Sequence, residues 1–207
     1  LKLEMTDAER AMIEEAEKEG LKEVWNRRRL IKWASTFGKD RAWVDKLFDI
    51  RSDKIVCKEE VLYLDDTQVS EIPPGLQVEV LSLNNTQVSE IPPDIQVKKL
   101  WLSHTQVTEI PQGLQVEELY LSNTQVSEIP QGLQVEVLDL SHTQVSEIPP
   151  GFQARMLGLS NTQVSEIPPN LQVEELYLSN TQVSEIPPGF QARVLGLNNT
   201  QVSEIPP

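Results

Sequence analysis

Aliphatic residues return at a fixed interval along most of this chain. A leucine recurs every 19 residues, and a second leucine follows each of these leucines two positions later. The first leucines of these pairs are Leu62, Leu81, Leu100, Leu119, Leu138, Leu157, Leu176 and Leu195. Alternation with a period of two is typical of a β-strand with one buried face. The spacing therefore predicts one strand in every 19-residue coil.

The rest of each coil predicts how the chain returns to the next strand. Every copy reads Leu-x-Leu-x-x-Thr-Gln-Val-Ser-Glu-Ile-Pro, except that Thr108 replaces the serine. In one copy, Val88, Ile91, Ile95 and Val97 are the expected inward-facing residues. The prolines exclude a helix and favour an extended return arm. A left-handed turn is expected where only Gly, Asn or Asp occurs, at Gly75, Asp94, Gly113, Gly132, Gly151, Asn170 and Gly189.

This repeat resembles the leucine-rich-repeat superfamily over residues 59–207. One coil is too small to bury its aliphatic residues alone, so seven full coils and a truncated eighth are expected to stack. The short period and the Ile-Pro-Pro-x-Leu arm are most similar to the secreted effector proteins of Gram-negative bacteria. The resemblance implies an α+β repeat fold, a solenoid with one parallel strand per coil and a polyproline-like convex side. It also implies a concave strand face, which such proteins commonly use to bind ligands.

One position departs from that family. The family usually stacks asparagine where this chain has Thr67, Thr86, Thr105, Thr124, Thr143, Thr162, Thr181 and Thr200. A threonine hydroxyl can also bond to nearby backbone groups, so a threonine ladder is expected in place of the asparagine ladder.

Residues 1–58 predict an α-helical N-terminal cap of about three helices. The first spans residues 6–19, begins with the capping box Thr6 and Glu9, and ends at Gly20. The others are expected over residues 21–35 and 40–50. Its expected core is Trp25, Trp33, Phe37, Trp43, Leu47 and Phe48. Since a bare solenoid end exposes unpaired strand groups, a cap is favoured. The alternative is that the basic run Arg27, Arg28 and Arg29 binds an acidic partner, a membrane or nucleic acid.

Charge and composition exclude several functions. The net charge is −14, and residues 59–207 hold only 4 of the 18 basic residues, which argues against nucleic-acid binding. No apolar run or signal peptide is apparent, so no membrane insertion is expected, and the location is either cytoplasmic or secreted without a classical signal. His104 and His142 are two coils apart, roughly 10 Å, too far to share a metal ion. The lone Cys57 has no positioned base. A non-enzymatic protein without cofactor or metal is predicted.

Differences between coils concentrate beside the strands, on side chains that point away from the core. Aromatic side chains give large contact areas at low entropic cost and dominate binding hot spots. The candidate partner-binding residues are Tyr63, Lys98, Lys99, Trp101, His104, Tyr120, Arg155, Tyr177 and Arg193. They predict a module that binds a protein or peptide. Gly158 and Gly196 are expected to leave part of this face bare.

Other readings of the same variation stay open. Aromatic residues favour strands, and an exposed face tolerates drift, so the chain could be a structural spacer or scaffold. Regular rows of Ser, Asn and Thr could instead bind ice or polysaccharide. The uncovered strand of the last coil, over residues 194–197, suggests end-to-end self-association.

Overall fold

The computed structural model describes residues 11, 25–51 and 54–206, and two helices lie within residues 25–51. Helix α1 spans Arg27–Ser35 and helix α2 spans Arg41–Leu47. Each begins at a polar N-cap whose side chain accepts a hydrogen bond from a backbone N–H in the first turn. Asn26 accepts from Arg29 and Asp40 accepts from Trp43, both at 2.9 Å. These bonds satisfy donors that a helix start leaves unpaired.

The helix boundaries differ from those expected from sequence. Helix α1 begins at Arg27, because Trp25 and Asn26 are not helical. The first residues of that expected helix, 21–24, lie outside the described residues. Helix α2 ends at Leu47, and the expected helical residues 48–50 form a strand instead. The helix expected over residues 6–19, with its capping box at Thr6 and Glu9, lies outside the described residues except for Ala11, which is helical.

A ten-stranded sheet runs through the molecule. Its strands are β1 (Phe48–Ile50), β2 (Ile55–Cys57), β3 (Val61–Tyr63), β4 (Leu76–Ser82), β5 (Gln96–Trp101), β6 (Glu118–Tyr120), β7 (Val137–Asp139), β8 (Gln153–Gly158), β9 (Gln172–Tyr177) and β10 (Val194–Gly196). Strands β1 and β2 are antiparallel, whereas β3 to β10 form a parallel series. Partners in that series are one repeat apart, as Leu81 and Leu100 are. The predicted solenoid with one parallel strand per 19-residue coil is confirmed.

The aliphatic core follows the predicted pattern. Leu81 and Leu83 are each 1% exposed. The four expected inward residues of that coil, Val88, Ile91, Ile95 and Val97, are also buried. Because side chains of one coil contact those of the next, the core is one continuous cluster from the cap to the seventh coil. This continuity is what lets short coils form a stable fold.

The cap is joined to the first coils by backbone and side-chain contacts. Strand β2 pairs antiparallel with β1 and parallel with the start of β4, so it belongs to both regions. The indole nitrogen of Trp33 donates to the Glu71 carbonyl oxygen at 2.8 Å. Arg29 lies 3.7 Å from the Glu71 carboxylate. The two helices therefore cover the N-terminal end of the sheet, and the exact boundary at residue 58 stays a prediction.

Aromatic packing forms most of the cap interior. Trp33 and Phe48 are buried as expected, while the other four expected residues are only partly buried. Leu30, Ala34 and Val44, which sequence analysis did not single out, are fully buried. The ring of Trp33 is 4.7 Å from that of Phe37 in an edge-to-face arrangement. Such pairs contribute beyond the apolar area that they bury.

The threonine hydroxyls bond within their own coils. Thr86 is 1% exposed and donates to the Leu83 carbonyl oxygen at 2.7 Å. The other seven threonines make the same bond to the residue three positions earlier, at 2.6 to 2.8 Å. The row is therefore a series of local turn closures and not a ladder that links neighbouring coils.

Left-handed backbone occurs at two positions in the coil, and sequence analysis found one of them. The glycines at the expected turn have positive φ, for example 79° at Gly113, but Asp94 and Asn170 do not. The missed position closely follows the strand and has φ between 54° and 58°. It is occupied by Asp66, Asn85, His104, Asn123, His142, Asn161, Asn180 and Asn199. The sequence signal was present, because Asn, Asp and His are the types most enriched at positive φ.

Replacement of Asn123 by valine is expected to lower the free energy of unfolding by about 1–2 kcal/mol, because a β-branched residue is strained at φ 56°. Asn123→Gly should be nearly neutral. Denaturant unfolding followed by circular dichroism measures both. Gln125→Val is the control for exposing valine in the same coil, with an expected change within about 0.5 kcal/mol. Equal losses in Asn123→Val and Gln125→Val would contradict the backbone explanation.

Candidate functional site

The strand face is the surface formed beside the buried leucines of β3 to β10. In each coil it consists of the two residues before the first leucine, the residue between the leucines, and the two residues after the second. The strand register places the middle residues side by side in the order Tyr63, Ser82, Trp101, Tyr120, Asp139, Gly158, Tyr177 and Gly196. Neighbouring strands are about 4.8 Å apart, so adjacent side chains in this row are in contact range.

Trp101 and Tyr120 form an aromatic pair at the centre of the face. Their ring centroids are 6.2 Å apart and the rings are perpendicular. Both side chains are half-buried. Ser82, between Tyr63 and Trp101 in register, is fully buried. The indole N–H of Trp101 is also buried and has no acceptor among the described residues. An unpaired buried donor costs about 1–3 kcal/mol, so stability alone does not explain a tryptophan here.

Polar neighbours hold the Tyr120 hydroxyl in place. It donates to the Glu118 carboxylate at 3.2 Å, and Lys99 lies 3.0 Å from the same carboxylate. Partial burial, together with the charge of Glu118, raises the pKa of Tyr120. The nearby positive charge of Arg155 opposes this effect. Tyr120 is therefore a neutral hydrogen-bonding group at physiological pH, and Lys99 is already paired.

A second aromatic group lies three strands further along the sheet. Tyr177 donates to Glu175 at 3.0 Å, and Arg193 pairs with the same carboxylate. The hydrogen bond with Glu175 raises the pKa of Tyr177. The ring lies over Gly196, where an added Cβ would be 3.2 Å from the Tyr177 ring. Sequence analysis treated Gly158 and Gly196 as bare positions of the face. At Gly196, however, the missing side chain leaves the space that the Tyr177 ring occupies.

Tyr63 stands apart from both groups. Its side chain is 66% exposed, and Ser82 separates it from Trp101 in register. The neighbouring Asp65 carboxylate raises the pKa of Tyr63 by hydrogen bonding and by charge repulsion. Asp65 itself accepts bonds from the Ser82 hydroxyl at 2.6 Å and the Asn84 backbone N–H at 2.8 Å. Tyr63 is thus a separate exposed aromatic at the edge of the face.

The remaining candidate residues have different surroundings. Lys98 pairs with Glu79 across neighbouring strands at 3.3 Å. His104 is exposed and occupies the left-handed turn after β5. Its presence can therefore be explained by the backbone conformation of that turn, without a role in binding. Arg155 makes no ion pair with any described residue. Sequence analysis did not identify Glu118 and Glu175, whose carboxylates organise the two tyrosines, because acidic residues are common throughout the repeats.

A groove runs beside the strand face along the last four coils. Its volume is about 1170 Å³, and it is lined mainly by the proline turns and by the glutamine at or just before the start of each strand. Glu136, Arg155 and Glu174 border both this groove and the strand face. The surface open to a partner is therefore wider than the row of strand residues.

Among the described residues, metal-ligating side chains do not cluster, and the single thiol is buried. In the described ranges, no group of three or more His, Cys, Asp or Glu side chains could hold a metal ion. Burial raises the pKa of the Cys57 thiol, which makes it a poor nucleophile. Nor does any helix of the described part have the length and apolar character needed to cross a membrane. The groups that the strand face does offer are suited to contact and hydrogen bonding.

Comparisons with known proteins gave structural matches only. No protein-family model matches the chain, and neither does any curated protein. The chain is similar in structure to YopM from Yersinia enterocolitica, with 17% identity and a TM-score of 0.47 over 98% of this chain and 49% of that one. It is also similar to a leucine-rich-repeat protein of Leptospira interrogans, with 20% identity and a TM-score of 0.39 over 69% and 55%.

A third similar structure is an internalin from Listeria monocytogenes, with 12% identity and a TM-score of 0.33 over 85% of this chain and 76% of that one. The chain spans about half the length of the first two proteins. Because all three TM-scores are below 0.5, the assignment of the fold rests on the one-repeat strand register of this chain itself.

Proposed function

We propose that the chain is a non-enzymatic interaction module that binds a protein or peptide through its strand face. The observation that carries the proposal is the Trp101–Tyr120 pair, which is partly exposed at the centre of an otherwise regular sheet. Paired aromatic residues of this kind are typical hot spots of protein interfaces. The unsatisfied indole N–H supports the proposal, since residues that break a stability rule are often retained for function.

The proposal assigns roles to the candidate residues. Trp101 and Tyr120 are the central anchors, and Tyr177 and Tyr63 extend the contact to either side. The basic candidates, Lys98, Lys99, Arg155 and Arg193, provide polar selectivity. His104 lies at the rim, where its exposed ring can reach a partner. Binding at this face requires no cofactor or metal.

A spacer function is the second candidate. Residues 151–159 and 189–197 share the pattern Gly-Phe-Gln-Ala-Arg-x-Leu-Gly-Leu, which indicates that blocks were copied. Such copying favours a role in which the number of coils sets a length. Burial removes most of the threonine row from solvent. The alternative of ice or polysaccharide binding therefore depends on the exposed serine and asparagine rows, and it stays a prediction. End-to-end self-association stays a prediction.

Affinity capture with a double variant tests the proposal. The combination of Trp101→Ala and Tyr120→Ala is expected to weaken partner binding at least tenfold, because a hot-spot residue typically contributes about 2 kcal/mol or more. The melting temperature should change little. Captured proteins are identified by mass spectrometry, and their affinities for both forms are then measured by calorimetry.

The matched control replaces Gln106 and Gln125 by alanine. Both are exposed, lie in the same two coils as the aromatic pair and stand outside the strand face. This control should retain full binding. If the aromatic double variant binds every captured partner as well as the unchanged protein does, the strand face is not the binding surface, and the spacer function is favoured.

A further inference from the structure

The strand face is acidic although it holds every basic residue of the repeats. Its acidic residues are Glu60, Asp65, Asp66, Glu79, Glu117, Glu118, Glu136, Asp139, Glu174 and Glu175. Its basic residues are Lys98, Lys99, Arg155 and Arg193. Ten carboxylates and four cations give a net charge of −6 on this surface. A face of this charge attracts cationic partners and repels anionic ones.

Ion pairs within the face leave the excess negative charge available. Lys98 pairs with Glu79, Lys99 with Glu118, and Arg193 with Glu175. Three of the four cations are thus neutralised by carboxylates of the same surface. The acidic residues that make no ion pair with a described residue are Glu60, Asp65, Asp66, Glu117, Glu136, Asp139 and Glu174. Among the basic residues of the face, Arg155 alone makes no ion pair with a described residue.

Three of the unpaired carboxylates, those of Glu117, Glu136 and Asp139, belong to the coil of Tyr120 or to the next coil. Asp139 is next to Tyr120 in register, and its negative charge contributes to the raised pKa of that tyrosine. Glu117 and Glu136 are on neighbouring coils, joined by a backbone hydrogen bond of 2.8 Å. Aromatic faces attract Lys and Arg side chains, and nearby carboxylates strengthen that attraction. The centre of the face therefore combines aromatic rings and carboxylates, and both kinds of group attract a cationic side chain.

We propose that the strand face binds a cationic protein segment, with Lys or Arg side chains held against the Trp101–Tyr120 pair by Glu117, Glu136 and Asp139. This inference rests on the proposed function and specifies its partner class. It also assigns the paired residues a purpose. Lys99 and Arg193 hold the carboxylates that orient Tyr120 and Tyr177. They therefore provide polar selectivity by positioning those hydroxyls and not by binding an acidic ligand directly. Arg155 interrupts the column of carboxylates and limits where the cationic side chains can lie.

Peptides of opposite charge test the inference directly. The probe is a ten-residue peptide of alternating lysine and serine, compared with peptides in which glutamine or glutamate replaces lysine. Fluorescence anisotropy with the full 207-residue chain should show binding in the order lysine, glutamine, glutamate. Raising the salt concentration from about 0.05 to 0.5 M should weaken the lysine peptide strongly, because exposed charges are screened.

Charge variants separate a local site from the general acidity of the chain. The triple variant Glu117→Gln, Glu136→Gln, Asp139→Asn should bind the lysine peptide about tenfold or more weakly. The control triple variant is Glu109→Gln, Glu128→Gln, Glu147→Gln, which removes the same charge from exposed positions outside the strand face in the same coils. This control should change the affinity by less than about twofold, since those exposed charges lie outside the strand face and are screened by salt.

Each result has a defined consequence. Equal losses in the two triple variants, or a lysine peptide that binds no better than the glutamine peptide, would overturn the cationic inference. The proposed function would survive that result if partner capture still depended on Trp101 and Tyr120. If neither peptide binding nor capture responds to Trp101→Ala with Tyr120→Ala, both proposals fail.

Discussion

Replacement of Trp33 by alanine is expected to lower the free energy of unfolding of the cap by about 3–5 kcal/mol. Trp33 is 6% exposed and contacts the rings of Trp25, Phe37, Trp43 and Phe48. Its loss leaves a cavity at the centre of this aromatic cluster. It also leaves the Glu71 carbonyl oxygen without the indole donor, which joins the cap to the first coil. The cap should therefore unfold before the repeats do.

The distribution of tryptophans makes this result measurable. Three of the four tryptophans lie in the cap and one, Trp101, lies in the repeats. Tryptophan fluorescence therefore reports mainly the cap, and far-ultraviolet circular dichroism reports mainly the sheet. In Trp33→Ala, the fluorescence transition should shift to lower denaturant concentration than the dichroism transition.

Trp43→Ala is the matched control for the cap. Trp43 belongs to the same cluster but is only partly buried and makes no described hydrogen bond to the repeats. Replacement of Trp43 by alanine should therefore lower the free energy of unfolding of the cap by less than Trp33→Ala does. Trp33→Phe, which keeps a ring and removes the indole donor, should fall between the two. A Trp33→Ala variant as stable as Trp43→Ala would show that Trp33 does not anchor the cap.

Replacement of Leu119 by alanine is expected to cost about 2–5 kcal/mol. Leu119 is fully buried and lies between Leu100 and Leu138 of the neighbouring strands. Both neighbours lose packing contacts when the side chain is shortened. Since each coil depends on the two beside it, the damage should extend beyond the fourth coil.

The repeat supplies its own control for this experiment. Leu195 occupies the equivalent position in β10 and is only partly buried in this chain. It pairs with Leu176 and has a described strand neighbour on that side only. Leu195→Ala should therefore cost less than Leu119→Ala when urea unfolding is followed by circular dichroism. Equal costs would contradict the view that stacked coils bury what one coil cannot.

The repeat was the part of the fold that sequence could predict best. Leu81 and Leu83 face the core because a period of two can place them on one side of a strand only. The constant length of the repeat then fixes which residues are neighbours in the stack. For this reason the repeat places Trp101 and Tyr120 on adjacent strands, although the two residues are a whole repeat apart in the chain, and their rings pack against each other in the structure.

Features that depend on distant or alternative partners were harder to predict. Residues 48–50 continue a helical pattern locally, but Phe48 and Ile50 pair with the chain at β2, and this pairing decides their structure. Asp94 and Asn170 fit a turn with or without positive φ, so residue type alone did not determine the backbone there. At residues 48–50 and at these two turn positions, the local sequence was compatible with more than one backbone structure.

In the candidate site, too, some features follow from the repeat and others depend on partners that the local sequence does not reveal. Its aromatic row follows from the register, but the pairing of the charged residues depends on side-chain positions. Lys99 and Arg193 looked like groups for polar selectivity, whereas each lies against a carboxylate that positions a tyrosine. Gly158 looked like a gap, whereas an added Cβ would lie 2.7 Å from the Asp139 carboxylate. Their roles in binding stay predictions.

The threonine bonds have a consequence for how such a protein can change in length. Each hydroxyl serves a carbonyl of its own coil, as Thr124 does for Leu121. Unequal recombination that adds or removes one whole coil would therefore break none of these bonds. The two surfaces brought together afterwards would largely match, since all coils share one repeat length and the same buried pattern of leucines. The molecule can grow or shrink in steps of about 4.8 Å without a new junction having to evolve.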